Sequence, residues 1–104
     1  MIFVIAKSVL VDPAAKAAFI EAYKENLPNV LAERGCIRYD LAEDFNSGFS
    51  AQQFNEENCV TFVEAWESIE DLENHLKAPH MDTFREKIAS LRKSSSLQVM
   101  SPVK

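Results

Sequence analysis

Apolar positions along the chain follow two alternating periods. Residues 2–10, IFVIAKSVL, are rich in β-branched side chains and too short for a typical amphipathic helix, which predicts a mostly buried strand. From Asp12 the period lengthens: Phe19, Ile20, Tyr23, Leu27, Val30 and Leu31 recur close to helical spacing. Asp12 can accept hydrogen bonds from free first-turn amides, and Pro13 sacrifices no donor at the first helical position, so the helix starts there. Pro28 removes one donor and is expected to kink or split this helix, and Gly35 to stop it. Alternation returns from Cys36 to Phe45, with Ile37, Tyr39 and Leu41 on one face and Arg38 and Asp40 on the other. Residues 59–67, CVTFVEAWE, form a third strand with Val60, Phe62, Glu64 and Trp66 on one face. Between these strands, FNSGFSAQQFNEEN fits either a short extended ladder or a long hairpin loop. A hairpin with Phe45 near Asn58 sets Cys36 near Glu67 and Cys59 near Asp44, which keeps the two thiols apart.

Ser68 followed by Asp71 resembles a capping box with Asp in place of Glu or Gln, opening a helix with Ile69, Leu72 and Leu76 inward. Pro79 starts a further helix whose stripe is Met81, Phe84, Ile88 and Leu91, and SSSLQVMSPV reads as a fourth strand. The order β-α-β-β-α-β predicts an α+β, ferredoxin-like fold: helices on one face of a four-stranded antiparallel sheet. Val63 and Ala65 oppose Phe62 and Trp66, so the second sheet face is apolar as well. Exposing that face would leave a large apolar patch, and a symmetric homodimer is the expected remedy.

At 104 residues the chain fits one domain, 1–104, and its 47% hydrophobic and 26% charged residues leave no tract biased toward disorder before the last few positions. Sixteen acidic against eleven basic residues give a net charge of -5, with the basic ones scattered apart from Arg92 and Lys93, which counts against nucleic acid. The run MIFVIA is broken by Lys7, far short of the ~20 residues that span a bilayer, and no basic segment precedes it. No membrane insertion and a cytoplasmic location are expected. Two cysteines without C-x-x-C spacing, Cys36 and Cys59, read as buried thiols.

The segment VEAWESIEDLENHLKAPHMDTF combines an aromatic-ended strand, a W-E-S turn and an H-L-K-A-P-H helix break. It resembles the signature of the antibiotic biosynthesis monooxygenase (ABM) domain. The likeness extends to the opening MIFVIA strand, the ERGCIRYD passage and the total length, and is greatest to the quinol monooxygenase branch. The resemblance implies a dimeric α+β barrel, with a ligand cavity in each subunit between sheet and helices. It also implies an enzyme that oxidises a small aromatic or quinone-like substrate with molecular oxygen as co-substrate and no metal or flavin cofactor. A deprotonated hydroquinone is itself a one-electron donor to oxygen, so such a protein need only bind, deprotonate and steer. The polyketide-oxidising branch has an asparagine four residues before the tryptophan, where this chain has Phe62; the haem-degrading branch has one in the first strand, where this chain offers Ala6 and Lys7. Phe62 with Trp66 makes instead an apolar slot suited to a quinol or naphthol.

Candidate roles follow from residue type and placement. Trp66 matches the family's tryptophan and could stack on an aromatic substrate, or else fill the core. His75, at the flank of the Ile69, Leu72 and Leu76 stripe, matches the family's histidine and could take a phenolic proton; otherwise it is a half-exposed surface residue. Glu64 shares the face of Trp66, where burial would raise its pKa to suit proton transfer, unless it pairs with Arg38 or sits at the rim. These three are the catalytic candidates. Phe62, Tyr39 and His80 are the substrate-binding ones, with Asp40 as an alternative to Tyr39 depending on register. His80, in the first turn after Pro79, favours a structural role: a neutral ring hydrogen-bonded across the break. The two histidines stand five apart with a proline between, unlike the i, i+4 pair of a zinc helix, so no metal site is expected. Two other classes fit the same residues: an isomerase in which His75 and Glu64 shuttle a proton beside a carbonyl, and a non-catalytic ligand-binding stress protein.

Overall fold

The computed structural model describes all of residues 1–104. Its elements run β1 (Ile2–Leu10), α1 (Pro13–Leu31), β2 (Cys36–Ala42), β3 (Cys59–Trp66), α2 (Ile69–Lys77), α3 (Pro79–Ile88), a 3-10 turn (Ala89–Leu91) and β4 (Arg92–Met100). The four strands form one sheet in the order β2-β3-β1-β4, every pair antiparallel, and the ferredoxin-like fold expected from the element order is present. No helix is long and apolar enough to cross a membrane.

The helices cover the face presented by Val4, Ser8 and Leu10 of β1 and by Val60, Phe62, Glu64 and Trp66 of β3, all buried. Phe19 of α1 and Phe84 of α3 pack edge to face at 5.7 Å over that layer, and Phe62 lies 6.0 Å from Phe19. Asp12 caps α1 by accepting from the Ala15 amide at 2.7 Å, and Ser68 caps α2 by accepting from the Asp71 amide at 3.1 Å. Of the expected capping box, only this forward half is formed.

Several expectations are corrected. Helix α1 runs unbroken through Pro28: the proline forfeits only its own amide, which would have bonded the Lys24 carbonyl, and the Ala32 amide closes the end on the Pro28 carbonyl. Gly35 is not the cap, which is Ala32; it turns the chain into β2 with φ +79°. Strand β2 ends at Ala42, not Phe45, and residues 46–57 are a long loop. Side chains hold that loop together: Asp44 accepts from the amide and side chain of Asn55, and Gln52 donates to the Phe45 carbonyl at 2.8 Å.

The expected β2–β3 register holds over most of its length, with Tyr39 opposite Glu64 and Asp40 opposite Val63. A shift between Cys36 and Arg38 then places Cys36 opposite Trp66 and leaves Ile37 as the extra, half-exposed residue, so Ile37 does not join Tyr39 and Leu41 on the inner face. Cys59 is buried and Cys36 only partly so; neither is bridged. Strand β4 begins two residues before the serine run and stops at Met100, so Ser101, Pro102 and Val103 of the expected strand fall outside it.

Candidate functional site

Helix α2 carries the main departure from the apolar pattern. Ile69 and Leu76, expected inward, are 46% and 47% exposed, whereas Asp71, Leu72 and His75 are buried. The helix is short and capped at Ser68, and the face it turns inward is set by what lies beneath it: the chain between α1 and β2. His75 is therefore not at the flank of the buried stripe but at its centre.

Its partner there is Glu33. The Glu33 Oε2 lies 2.7 Å from His75 Nδ1, and Oε1 lies 2.6 Å from His80 Nε2, so one carboxylate joins both histidines across the break at Pro79. His75 Nδ1–H donates to the carboxylate, which fixes the tautomer and leaves Nε2 as the basic nitrogen, without a protein partner. Burial pushes the His75 pKa down, and Glu33 opposes that by favouring the charged ring. His80 thus shares the Glu33 carboxylate through Nε2, and its Nδ1 is buried without a partner.

Glu33 was not among the sequence candidates. It sits just beyond the end of α1, where a carboxylate faces the negative pole of the helix and is unfavourable unless something pairs with it. That mismatch is the signal the sequence carried.

Beneath His75, the sheet contributes Glu64 and Tyr39, directly opposite each other on β3 and β2. Glu64 Oε1 accepts from Trp66 Nε1 at 3.0 Å, and it does not pair with Arg38, which reaches Asp40 at 3.0 Å on the outer face. Burial raises the Glu64 pKa to about 7, moderated by the indole hydrogen bond, with the Glu33 charge adding to the rise. Burial also pushes the Tyr39 phenol far up, so it stays a neutral donor at any physiological pH. The Tyr39 ring stands edge-on to His75 at 5.3 Å.

These groups open on a cavity of about 410 Å³ between the sheet, α2, α3 and the inner face of β4. Tyr39, Phe62, Glu64 and His75 line it together with Leu72 and Phe84, a mainly apolar wall with three convergent polar groups. The structure thus gathers four of the six candidates. Trp66 is not on the wall: it is wholly buried, its ring 4.6 Å from that of His75, and it braces Glu64 and His75 from behind instead of offering a stacking surface. His80 faces two other clefts, between α1, α2 and α3. Asp40 lies on the far side of the sheet and is exposed.

The model of the antibiotic biosynthesis monooxygenase family matches residues 1–87. The Escherichia coli K12 protein named "Probable quinol monooxygenase YgiN" is 31% identical over 87 residues, covering 84% of this chain and 83% of that protein. Among solved structures, one described as an antibiotic biosynthesis monooxygenase superposes with a TM-score of 0.81 at 22% identity, with both chains covered in full. Rv0793 from Mycobacterium tuberculosis superposes with a TM-score of 0.79 at 23% identity, over 99% of this chain and 95% of its own. These two likenesses concern the fold.

Proposed function

Since this chain belongs to the antibiotic biosynthesis monooxygenase family, we propose that it is a cofactor-independent oxidase or monooxygenase of a quinol or related dihydroxy-aromatic, using molecular oxygen without metal or flavin. The observation that carries this reading is His75: an imidazole whose burial disfavours the charged form, with Nδ1 tied to a carboxylate and Nε2 free, on the wall of an apolar cavity of about 410 Å³. The name of the E. coli relative points to the same substrate class.

In this scheme the aromatic ring lies against Phe62 and the apolar wall, and Tyr39 donates to one substrate oxygen. His75 Nε2 takes the phenolic proton, and Glu33 stabilises the imidazolium that results. The phenolate then passes an electron to oxygen. Loss of the second electron and proton yields quinone and hydrogen peroxide; insertion of one oxygen atom yields a hydroxyquinone and water. The chemistry lies in substrate and oxygen, and the protein supplies orientation and a base. Glu64, half-protonated near pH 7, is the second proton carrier. That property also suits proton shuttling beside a carbonyl, so an oxygen-independent isomerase is the second reading.

The test is oxygen uptake with anaerobically prepared naphthohydroquinols in chelator-treated buffer, against uncatalysed autoxidation. Wild type is expected to exceed background and His75→Ala to lose roughly a hundredfold or more, the usual contribution of a general base. Because Glu33 raises the His75 pKa, Glu33→Gln is expected to slow turnover and move the acid limb of the pH profile to lower pH. No uptake above background across a panel of quinols overturns the oxidation reading, and turnover of a carbonyl substrate under nitrogen would favour the isomerase.

A further inference from the structure

The cavity wall is charged in the opposite sense to the molecule. The chain has sixteen acidic and eleven basic residues, yet the charged groups around this cavity are Lys7, Arg85 and Arg92 against the single carboxylate Glu64, with His75 beside it. Glu64 is itself only partly ionised at neutral pH. Arg85 of α3 spends its guanidinium on Asp82 at 3.0 Å and on the Leu76 carbonyl. Lys7 lines the cavity too and is unpaired, but strand alternation sets it on the sheet face opposite to Ser8. Arg92 alone of the three combines the cavity side of the sheet with a side chain that has no ion-pair or hydrogen-bond partner in the protein.

Register places Arg92 on the cavity side. Along β1 the inward residues Val4, Ala6, Ser8 and Leu10 stand opposite Val99, Leu97, Ser95 and Arg92 of β4, with the irregularity at Val9 and Leu10 absorbing Lys93. The inner face of β4 thus grades from apolar, Val99 and Leu97, to a hydroxyl, Ser95, to a free guanidinium at the mouth. The apolar end shares its row with Glu64 and Tyr39, since Val4 pairs with both Val99 and Glu64. Four residue steps along β1, from Val4 to Ser8, take that row to the one holding Ser95, a span of roughly 14 Å at the rise of an antiparallel strand. The side chains at each end shorten that gap to the length of a bicyclic ring or of one ring with a short tail.

We propose that the cavity takes an aromatic ligand bearing an anionic oxygen group, a carboxylate or a phosphate, with the ring on the Phe62 and Leu97 row and the anion at the mouth, held by Arg92 and Ser95. A guanidinium offers planar, paired donors to either anion, and Glu64, the one carboxylate of the cavity wall, is held by Trp66 on the Val4 row instead of competing for it. This names the substrate class of the site described above and rests on that cavity being the substrate site, but binding does not depend on which reaction follows.

Equilibrium titration of the full chain with 2-naphthoate, 1-naphthyl phosphate and neutral 2-naphthol tests it without turnover. The anionic probes should bind roughly tenfold or more tighter than 2-naphthol, the ordinary worth of a charge-assisted hydrogen bond, and the advantage should shrink with added salt. Arg92→Ala should bring the anionic probes down to the affinity of 2-naphthol; Ser95→Ala should reduce the preference; Lys77→Ala, a control outside the cavity wall, should not alter it. A larger gain for phosphate or for carboxylate identifies which anion the site reads. Equal binding of the three probes, no binding of any, or a preference that survives in Arg92→Ala overturns the proposal. Tight naphthoate binding without oxygen uptake from any quinol would refute the oxidation reading and leave the anion subsite standing.

Discussion

Glu64 is a carboxyl buried deeply enough to change its protonation near neutral pH. Its pKa rises from 4.5 to about 7 because the charged form is buried, so folding favours the protonated carboxyl. A folded-state pKa above the unfolded one gives a contribution that is fully present below about pH 4.5 and is lost as pH rises through about 7. His75 works in the other direction: its pKa is lowered, so its contribution is present above its ordinary value and is lost as pH falls. Glu64→Gln keeps an oxygen to accept from Trp66 and removes only the ionisation. The variant is expected to match wild type at pH 4 and to be the more stable by roughly 1–3 kcal/mol at pH 8, read from chemical denaturation at the two pH values. A variant less stable than wild type at pH 8 would mean that the ionised carboxylate is stabilised by the cavity.

At the scale of elements, the turn after α1 and the first turn of α2 are fitted to each other. Gly35 has φ +79°, and a Cβ there would stand 2.1 Å from Asp71 Oδ2 and 2.7 Å from Asp71 Cβ. The side chain cannot simply swing aside, because its base is blocked as well as its tip. Gly35→Ala therefore pushes the start of α2 outward and with it His75, one turn further on. The expected cost is about 1–3 kcal/mol for the backbone strain plus the displacement. The midpoint of denaturation should fall, and Asp71→Gly in the Gly35→Ala background should recover the part due to collision and leave the part due to φ.

This junction also marks what the sequence could and could not disclose. Long periodic stretches were legible: the β3 face of Val60, Phe62, Glu64 and Trp66 is buried as read, and the element order is that of the fold. Helix α2 was misread because only nine residues carry its pattern, and a buried Asp71 and His75 look polar until Glu33 and Gly35 are brought beneath them from some forty residues away. Proximity of that kind has no local signature. Within the site, Tyr39, Phe62, Glu64 and His75 were legible from alternation and motif; Arg92 was not, since its inward placement depends on a strand irregularity that no pattern announces.

Over the whole molecule, the outer sheet face is the unbalanced feature. Phe3, Ile5 and Val9 of β1, Val63 and Ala65 of β3 and Met100 of β4 share it, and none of the helices lies there. Phe45, Phe49 and Phe54 stand exposed on the loop between β2 and β3. A second copy packed sheet to sheet would cover the apolar face with its own equivalent, which is the closed solution for a self-complementary patch. Sedimentation equilibrium is expected to give twice the mass of one chain. Val63→Lys, at the middle of the face and away from the cavity, is expected to give single chains with unchanged far-UV circular dichroism. The twenty residues of this chain that line the cavity are expected to hold 2-naphthol without a partner, so binding of that probe should survive dissociation. A wild-type mass of one chain at all concentrations would mean that the face is covered by something other than a second copy; loss of probe binding in Val63→Lys would mean that the partner completes the cavity.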